Sequence, residues 1–388
     1  MSLNHRSNLE VADIFRNYGH LLSPQSRDAN KVISDIKNCR TEILGGHKLQ
    51  CDQCDFNKHA YNSCRNRHCP KCQFMARVTW IEKRMEALLP CQYFHVVFTI
   101  PAKLRRLFLQ NKKDSYNILF KASSQTLKEV AENPKNLGAK IGFIGVLHTW
   151  SQSLIDHPHI HFIVPGGGLN EKNEWIECKK DYFLPVRVLS KVFRAKVLQF
   201  IEEAYGVGQF NFYGEEKQYT NPAIFKGLLQ SCTDKDWAVY AKEPFAGPEQ
   251  VINYLGGYTH RIAISNYRLI KVENGRIHFK VRDPNNPGKK KLMSVTTLEF
   301  MRRFLLHVLP KRFVRIRHFG ILGTRLKKEK IEFIRKIKGI TVHIQEVLDK
   351  GWEIVLGVAK DFCSGICPKC RDGTLVKMSP FEGMLNTS

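Results

Sequence analysis

The sequence predicts an α+β protein with more than one domain, and three observations support this fold class. Apolar runs bounded by prolines and turn residues indicate strands at 93–101 and 141–150, and another strand follows that we expect to start at Pro158, with His157 in the preceding turn, and to end at Pro165. Helical periodicity recurs at 102–131 and 188–205. Two Cys-x-x-Cys pairs near the N-terminus predict a small metal-stabilised module that precedes this mixed structure.

The composition limits the functional classes. The chain has 388 residues, enough for two or three domains, and 61 Lys+Arg against 36 Asp+Glu give a formal charge of +25. Such a surface attracts polyanions, although a ribosome-associated or merely basic protein would share it. No long apolar run or signal-peptide core occurs, so we expect a soluble cytoplasmic protein without a membrane partner.

The N-terminal 90 residues form the first predicted domain. Residues 1–45 have helix-like spacing of apolar residues, and a tetrahedral Zn²⁺ site follows, with the predicted ligands Cys51, Cys54, Cys69 and Cys72. Cys64 and His68 lie within reach of the same ion, the alternative for Cys64 being a small buried residue. Arg65 and Arg67 beside these cysteines are candidates for DNA phosphate contacts.

The second predicted domain, 91–285, carries the motif around which the chain is organised. Alternate residues of a strand share a face, so His159 and His161 project together while Ile160 and Phe162 enter the core. The strand at 141–150 is close enough in sequence to pair with this one as a hairpin, which offers His148 as a third metal ligand. The alternative is a set of ordinary polar residues on a half-exposed sheet.

A pair of tyrosines follows predicted helices at 188–205 and 221–240. Tyr254 and Tyr258 are four residues apart, so on a helix both hydroxyls would emerge on one face. Such a pair is more often half-buried packing than chemistry when it stands alone. Next to a histidine strand, however, two hydroxyls are candidate nucleophiles, and Arg261 just beyond them is a candidate DNA contact.

The C-terminal third is basic. Asn274-Gly275 predicts a hairpin turn, a turn-rich linker follows at 284–291, and a helix is expected at 298–308. We assign 286–345 to a helical DNA-binding region that includes Arg315 and Arg317, and 346–388 to a tail. The cysteines of the tail resemble half of a zinc ribbon without an obvious fourth ligand; they are Cys363, Cys367 and Cys370.

Taken together, these motifs resemble the IS-ninety-one-type rolling-circle transposases of the HUH endonuclease superfamily. The resemblance extends over roughly residues 45–325 and includes the segment from Ser63 to Gln73, the His-Pro-His-Ile-His run that ends at His161, and the segment from Tyr254 to Asn266. It implies an HUH-type central antiparallel sheet flanked by helices. It also implies Mg²⁺ or Mn²⁺ at His159 and His161, helped by His148 or a nearby group, and a tyrosine, Tyr254 or Tyr258, that becomes linked to a DNA 5′ end.

The expected partners are single-stranded DNA at transposon ends and target DNA, and the expected place of action is the bacterial nucleoid. Two alternatives stay open: a zinc-dependent DNA- or RNA-binding protein without catalysis, and a transposase that has lost turnover. A transposase built on three acidic residues would leave the histidine and tyrosine motifs unused.

Overall fold

A computed structural model gives the structure of the protein and describes residues 9–73, 88–89, 91–245, 262–283, 285–286, 288–323, 327–339 and 365–383. Some of the residues singled out above lie outside these ranges, namely both tyrosines, Arg261 and Cys363.

Helices and antiparallel strands alternate along the described chain, which confirms the α+β class. The α-helices are α1 (Val11–Tyr18), α2 (Arg27–Asn38), α3 (Arg105–Gln110), α4 (Lys112–Glu132), α5 (Val186–Gly206), α6 (Pro222–Gln230), α7 (Thr297–Leu306) and α8 (Lys327–Ile337). The strands are β1 (Gly46–Cys51), β2 (Asn57–Tyr61), β3 (Tyr93–Thr99), β4 (Gly142–Trp150), β5 (Asp156–Pro165), β6 (Gly167–Leu169), β7 (Trp175–Glu177), β8 (Val239–Phe245), β9 (Leu269–Glu273), β10 (Arg276–Arg282), β11 (Lys290–Thr296), β12 (Ile316–Gly320) and β13 (Leu375–Phe381).

The central sheet has the strand order β12-β4-β5-β3-β8, and each neighbouring pair is antiparallel. One face is apolar because alternate residues of β3 and β5, among them Phe98, Ile160 and Phe162, point the same way and are fully buried. These side chains belong to one hydrophobic core with residues of α3, α4 and α5. The opposite face of the sheet carries the histidines.

Two segments of the central sheet differ from the sequence prediction. The helix expected at 221–240 ends at Gln230, and β8 then pairs with β3. The Ser-Cys-Thr-Asp turn after α6 ends the helix, and Trp237, whose indole N–H donates to the carbonyl of Cys232, is buried in the core. At the other edge β12 pairs with β4, although the sequence analysis placed Ile316–Gly320 in a helical region.

A second core lies beside the first. It combines α1, α2 and α7 with the sheet β11-β10-β9, of which β11 was not predicted, its first two residues having been assigned to the linker at 284–291. The turn between β9 and β10 is the predicted one, with Asn274 at φ 50° and Gly275 at φ 69°, values typical of a type I′ hairpin turn. Helix α7 begins as its sequence indicates, because the Thr296 hydroxyl accepts a hydrogen bond from the Glu299 amide at 3.2 Å.

The two ends of the described chain meet in a third sheet with the order β13-β1-β2. Strand β13 comes from the C-terminal tail and pairs with β1 from Gly46↔Phe381 to Cys51↔Leu375. The tail is therefore part of the N-terminal zinc-binding region in space.

Candidate functional site

Three histidines converge on the polar face of the central sheet. His148 on β4 stands directly opposite His159 on β5, and His161 follows two residues later on the same face. The ring centroids are 5.6 Å apart for His148 and His159, 4.5 Å for His148 and His161, and 4.7 Å for His159 and His161. One nitrogen from each ring can be chosen so that all three lie within 4.8 Å of one another. The predicted hairpin thus brings the three predicted ligands together.

Neighbouring groups fix which ring nitrogen His159 can offer. Its Nδ1 lies 2.6 Å from the backbone carbonyl oxygen of His157. Because a carbonyl oxygen only accepts hydrogen bonds, Nδ1 must carry the proton, and Nε2 is left as the electron-pair donor. The backbone of the same strand therefore prepares this imidazole for metal coordination.

His161 has a histidine partner, His95, on the neighbouring strand β3. Nδ1 of His161 lies 2.7 Å from Nε2 of His95 on β3, and the two rings are nearly parallel, with an interplanar angle of 8°. Donation from His161 to His95 would leave Nε2 of His161 as its metal-binding nitrogen. Strand register places His95 there, because it pairs with Ile163 on the histidine face.

His148 and His157 have surroundings that differ from those of His159 and His161. His148 is buried and stacks on Trp150 with a centroid distance of 4.6 Å. His157 lies outside the cluster: its Nδ1 accepts a hydrogen bond of 3.0 Å from the guanidinium of Arg105. Burial and the nearby positive charge lower the pKa of His157, so this ring stays neutral.

Residues that belong to or flank the second core donate hydrogen bonds to the loop that connects β4 and β5. The guanidinium of Arg268 donates to the carbonyl of Gln152, and that of Arg303 donates to the carbonyl of Ser153 at 3.0 Å. His307 of the α7 C-terminal end donates from Nε2 to the carbonyl of Leu154 at 3.0 Å. Leu154 has a φ of 62°, a backbone conformation that side chains other than glycine rarely adopt, and it is fully buried. These contacts fix the hairpin that carries the three clustered histidines.

The donor set suits a divalent transition-type cation. Neutral imidazole nitrogens bind Mn²⁺, Zn²⁺ and their neighbours, whereas Mg²⁺ prefers carboxylate and water oxygens. Three protein ligands on one side would leave further coordination positions for oxygens of a substrate. The residues therefore fit a metal centre with an open side.

The cysteines predicted as one zinc site divide into two clusters. Cys69 and Cys72 lie with Cys39 and Cys64, all four Sγ atoms being within 4.8 Å of one another. The distances from Sγ of Cys72 to Sγ of Cys39 and to Sγ of Cys64 are both 3.5 Å. Cys39, at the end of α2, was missed because no second cysteine stands beside it in the sequence.

Cys51 and Cys54 belong to the other cluster, with Cys367 and Cys370 of the C-terminal tail. The predicted set of four ligands is corrected accordingly, since the fold places the two N-terminal Cys-x-x-Cys pairs in different groups. The tail cysteines, for which the sequence offered no fourth partner, find their partners more than 300 positions away along the chain.

His68 and the arginines beside it have structural contacts. Nε2 of His68 accepts a hydrogen bond of 3.4 Å from the Leu309 amide, and His68 is not among the clustered ligands. The guanidinium of Arg67 donates to the carbonyl oxygens of Leu309, Pro310 and Phe313. Arg65 next to it is exposed.

Two arginines, one just before β12 and one within it, have partners inside the fold. Arg315 is buried and donates to the side-chain oxygen of Gln73 at 3.3 Å, and burial lowers its pKa to about 10. Arg317 donates to Asn117 at 2.6 Å and lies 4.1 Å from the ring centroid of Phe120. Of the arginines predicted to bind DNA, Arg65 is thus the exposed one within the described chain.

No helix in the described part of the chain combines the length and the apolar character that crossing a bilayer requires.

Comparison with known families gives two matches along this chain. Residues 11–100 match the family described as "Transposase zinc-binding domain", and residues 142–330 match the family described as "Putative transposase". The first range contains the cluster of Cys39, Cys64, Cys69 and Cys72, and the second contains the three clustered histidines.

Two curated relatives are similar over most of the chain. "Putative transposase y4qJ" of Sinorhizobium fredii (strain NBRC 101917 / NGR234) is 44% identical over 391 residues, which cover 98% of this chain and 97% of the relative. "Transposase for insertion sequence element IS801" of Pseudomonas savastanoi pv. phaseolicola is 27% identical over 323 residues, covering 80% of this chain and 74% of the relative. No solved structure matches the chain.

Proposed function

The chain belongs to the IS91-type family of transposases, and on that basis we propose that it nicks and rejoins single-stranded DNA at the ends of an insertion sequence through a 5′-phosphotyrosine intermediate. Membership of the family implies DNA binding and a nuclease or strand-transfer activity. The finer proposal concerns the reacting groups, the metal and the strandedness of the DNA.

The observation that carries the proposal is the cluster of His148, His159 and His161 on one face of the central sheet, with one nitrogen of each within 4.8 Å of the others. We assign these histidines as ligands of Mn²⁺ or Mg²⁺. Such a cation, when bound, would neutralise charge on the scissile phosphate. Mn²⁺ is favoured by the imidazole donors, and Mg²⁺ remains compatible through additional phosphate and water oxygens.

Tyr254 and Tyr258 are the proposed nucleophiles, and they lie outside the described residues. The phenol of one tyrosine loses its proton and forms a bond to phosphorus, while the bond from phosphorus to the 3′ oxygen breaks and that oxygen takes up a proton. The phosphodiester is exchanged for a tyrosine ester at the 5′ end, so no nucleotide cofactor is needed. Two tyrosines allow two successive transfers, which suits a strand that is cut, replaced and rejoined.

Zinc has a separate, structural part in the proposal. We assign Cys39, Cys64, Cys69 and Cys72 as the tetrahedral site of the zinc-binding domain. Arg67 attaches this segment to the residues after α7, and α7 in turn contacts the loop of the histidine hairpin. The zinc-binding segment would thus help to position DNA relative to the metal centre, in the nucleoid, where both the ends of the element and the target occur.

The test uses purified full-length protein and single strands that carry the ends of the element, labelled at either the 5′ or the 3′ end. With Mn²⁺ we expect a protein–DNA adduct that survives denaturation and contains the fragment downstream of the nick. The adduct should be absent with EDTA, in the double variant Tyr254→Phe/Tyr258→Phe and in His159→Ala/His161→Ala. Tyr213→Phe is the matched control, since Tyr213 is 64% exposed and its backbone bonds to Gln110 of α3, on the opposite side of the sheet from the histidines.

Two outcomes would contradict the proposal. Specific binding of the ends without an adduct would indicate a DNA-binding protein or a transposase that has lost turnover. An adduct that persists in the double tyrosine variant would place the nucleophile elsewhere.

A further inference from the structure

Four cysteines from opposite ends of the chain form a cluster that the proposed function does not use. Cys51 and Cys54 close the β1–β2 hairpin, and Cys367 and Cys370 lie in the turn before β13. Sγ of Cys51 is 3.7 Å from Sγ of Cys370, and Sγ of Cys54 is 3.6 Å from Sγ of Cys367. All four sulfurs lie within 4.8 Å of one another.

These distances match a metal-bound arrangement of thiolates. With a Zn–S bond of about 2.3 Å, the edge of a regular tetrahedron of sulfurs is about 3.8 Å. A disulfide would instead hold a pair of sulfurs at about 2.05 Å, with the pairs independent of each other. Four sulfurs grouped around one point are typical of a tetrathiolate metal site.

Both Cys-x-x-Cys turns have amide groups directed at sulfur. The amide of Gln53 donates to Sγ of Cys51 at 3.4 Å, and the amide of Gly373 donates to Sγ of Cys370 at 3.3 Å. Such hydrogen bonds stabilise thiolates and orient metal ligands. Each turn thus directs a backbone amide at one of its sulfurs, although the two turns come from distant parts of the sequence.

Backbone contacts also bring the two ends of the described chain together. A Cβ atom on Gly373 would lie 2.4 Å from Sγ of Cys51, and one on Gly383 would lie 2.3 Å from the amide nitrogen of Gly45. The amide of Thr374 donates to the carboxylate of Asp52 at 2.8 Å, and the amide of Asp52 donates to the carbonyl of Thr374 at 3.1 Å. The contacts of Gly383 with Gly45 and of Thr374 with Asp52 do not involve the sulfurs, so they are an independent reason to place the two turns together.

We propose that Cys51, Cys54, Cys367 and Cys370 bind a second Zn²⁺ ion, which fastens the C-terminal tail to the N-terminal zinc-binding region. The family match for the zinc-binding domain ends at residue 100 and includes two of these four ligands. The second ion is distinct from the one assigned to Cys39, Cys64, Cys69 and Cys72, because none of the four cysteines is shared between the clusters. This second zinc ion joins residues more than 300 positions apart and holds β13 on β1.

The first test is the metal content of the purified full-length protein, measured by elemental mass spectrometry with His159→Ala/His161→Ala present throughout, so that the histidine cluster holds no zinc. We expect two zinc ions per chain when all cysteines are intact and one when Cys367→Ser/Cys370→Ser is added. The matched control is Cys178→Ser/Cys232→Ser, which removes two buried cysteines that lie outside both clusters and should retain two ions. One zinc with all cysteines intact, iron in place of the second zinc, or two zinc ions in the double tail variant would overturn the proposal.

A second variant leaves every ligand in place. Gly373→Ala introduces a methyl group against Cys51 and Asp52, and with His159→Ala/His161→Ala again present it should lower the zinc content from two ions to one. Gly227→Ala is the control, because a Cβ at Gly227 meets nothing within 4 Å, and it should retain two ions. Two zinc ions in Gly373→Ala would show that the close approach of the two turns is absent.

A third measurement needs no substitution. Alkylation of the wild type, read residue by residue by peptide mass spectrometry, should leave all four cysteines protected until a chelator is added, after which they should react together. Rapid alkylation of Cys367 and Cys370 while Cys51 and Cys54 stay protected would overturn the proposal. These readouts do not involve DNA cleavage, so their failure is distinguishable from failure of the proposed transposase mechanism.

Discussion

At the scale of single residues, identical side chains have different properties because their neighbours differ. Three histidines alternate along β5, yet the ring of His157 accepts a hydrogen bond from Arg105, that of His159 donates to a backbone carbonyl, and that of His161 contacts His95. A strand with period two can place imidazoles on one face, but only the surrounding acceptors select the nitrogen that each ring offers. Hydrogen-bond partners of this kind tune the affinity of a metal site.

We predict that His95→Phe weakens metal binding at the histidine cluster without unfolding the protein. Phenylalanine retains the buried ring but removes the acceptor for Nδ1 of His161. The Mn²⁺ concentration that gives half-maximal adduct should rise about 10- to 100-fold, the usual effect of losing such a partner. Adduct formation should be largely restored at saturating Mn²⁺.

His95→Gln is the conservative control, because the amide oxygen can still accept from His161, and its Mn²⁺ dependence should lie between those of the wild type and His95→Phe. An unchanged Mn²⁺ curve in His95→Phe would mean that His95 only fills space.

At the scale of secondary-structure elements, hydrogen bonds connect the histidine hairpin, the second core and the zinc-binding segment to one another. The loop of the β4–β5 hairpin is held by Arg268, Arg303 and His307 from the second core. The zinc-binding segment is attached to the turn after α7 through Arg67. Basic residues that the sequence suggested for DNA contacts are in part used to satisfy buried carbonyl groups.

We predict opposite phenotypes for two arginines that are two residues apart. Arg67→Ala should lower the free energy of unfolding by about 1–3 kcal/mol, because the carbonyl of Phe313 loses the guanidinium that donates to it and the carbonyl of Pro310 keeps only the amide of Phe313 as a donor. Arg65→Ala should leave stability within about 0.5 kcal/mol of the wild type, since Arg65 is exposed.

Denaturant titration gives the stabilities, and binding of single-stranded DNA over a range of salt concentrations gives the phosphate contacts. Arg65→Ala should reduce the slope of log K against log salt by about 0.7 if the side chain contacts one phosphate. A lower free energy of unfolding in Arg65→Ala, or an unchanged one in Arg67→Ala, would contradict the structural role of Arg67 and the DNA-binding role of Arg65.

At the scale of the whole molecule, the described chain contains two hydrophobic cores and a sheet that joins the N-terminal region to the C-terminal tail. Stability is then sensitive to buried titratable groups that lie between these parts. His307 is enclosed, with Nε2 donating to Leu154 and Nδ1 3.2 Å from the hydroxyl of Thr149, and burial lowers its pKa to about 4. The pKa of Asp156, on the core face of β5, is shifted in the opposite direction, because burial raises it to about 7.

We predict that these two groups make opposite contributions to the pH dependence of folding. Between about pH 6.5 and 4 the unfolded state protonates His307 and the folded state does not, so its contribution to stability falls by about 3 kcal/mol as the pH falls. Between about pH 4 and 7 the folded state retains a proton on Asp156 that the unfolded state has lost, so its contribution falls as the pH rises.

The measurement is denaturant unfolding from pH 4 to 7 for the wild type, His307→Gln and Asp156→Asn. Relative to the wild type, His307→Gln should become more stable toward acid and Asp156→Asn less stable toward acid. Parallel curves for all three proteins would show that neither group has a displaced pKa.

The sequence by itself determined the histidine hairpin, the turn at Asn274-Gly275 and the family. Each of these depends on local patterns: alternation along a strand, a short connection between strands, or a contiguous motif. The sequence alone predicted that His148, His159 and His161 lie close together, because strands that are adjacent in sequence usually pair.

Only the tertiary structure decided the grouping of the cysteines and the use of the arginines. Cys39 and Cys367 find their clusters through packing between elements far apart in the chain, and no spacing rule reports such contacts. Arg67 and Arg315 carry the same charge as Arg65, but burial against carbonyl and amide oxygens gives them a different role. Burial and long-range pairing are properties of the assembled fold, because they depend on which surfaces meet after the local elements have formed.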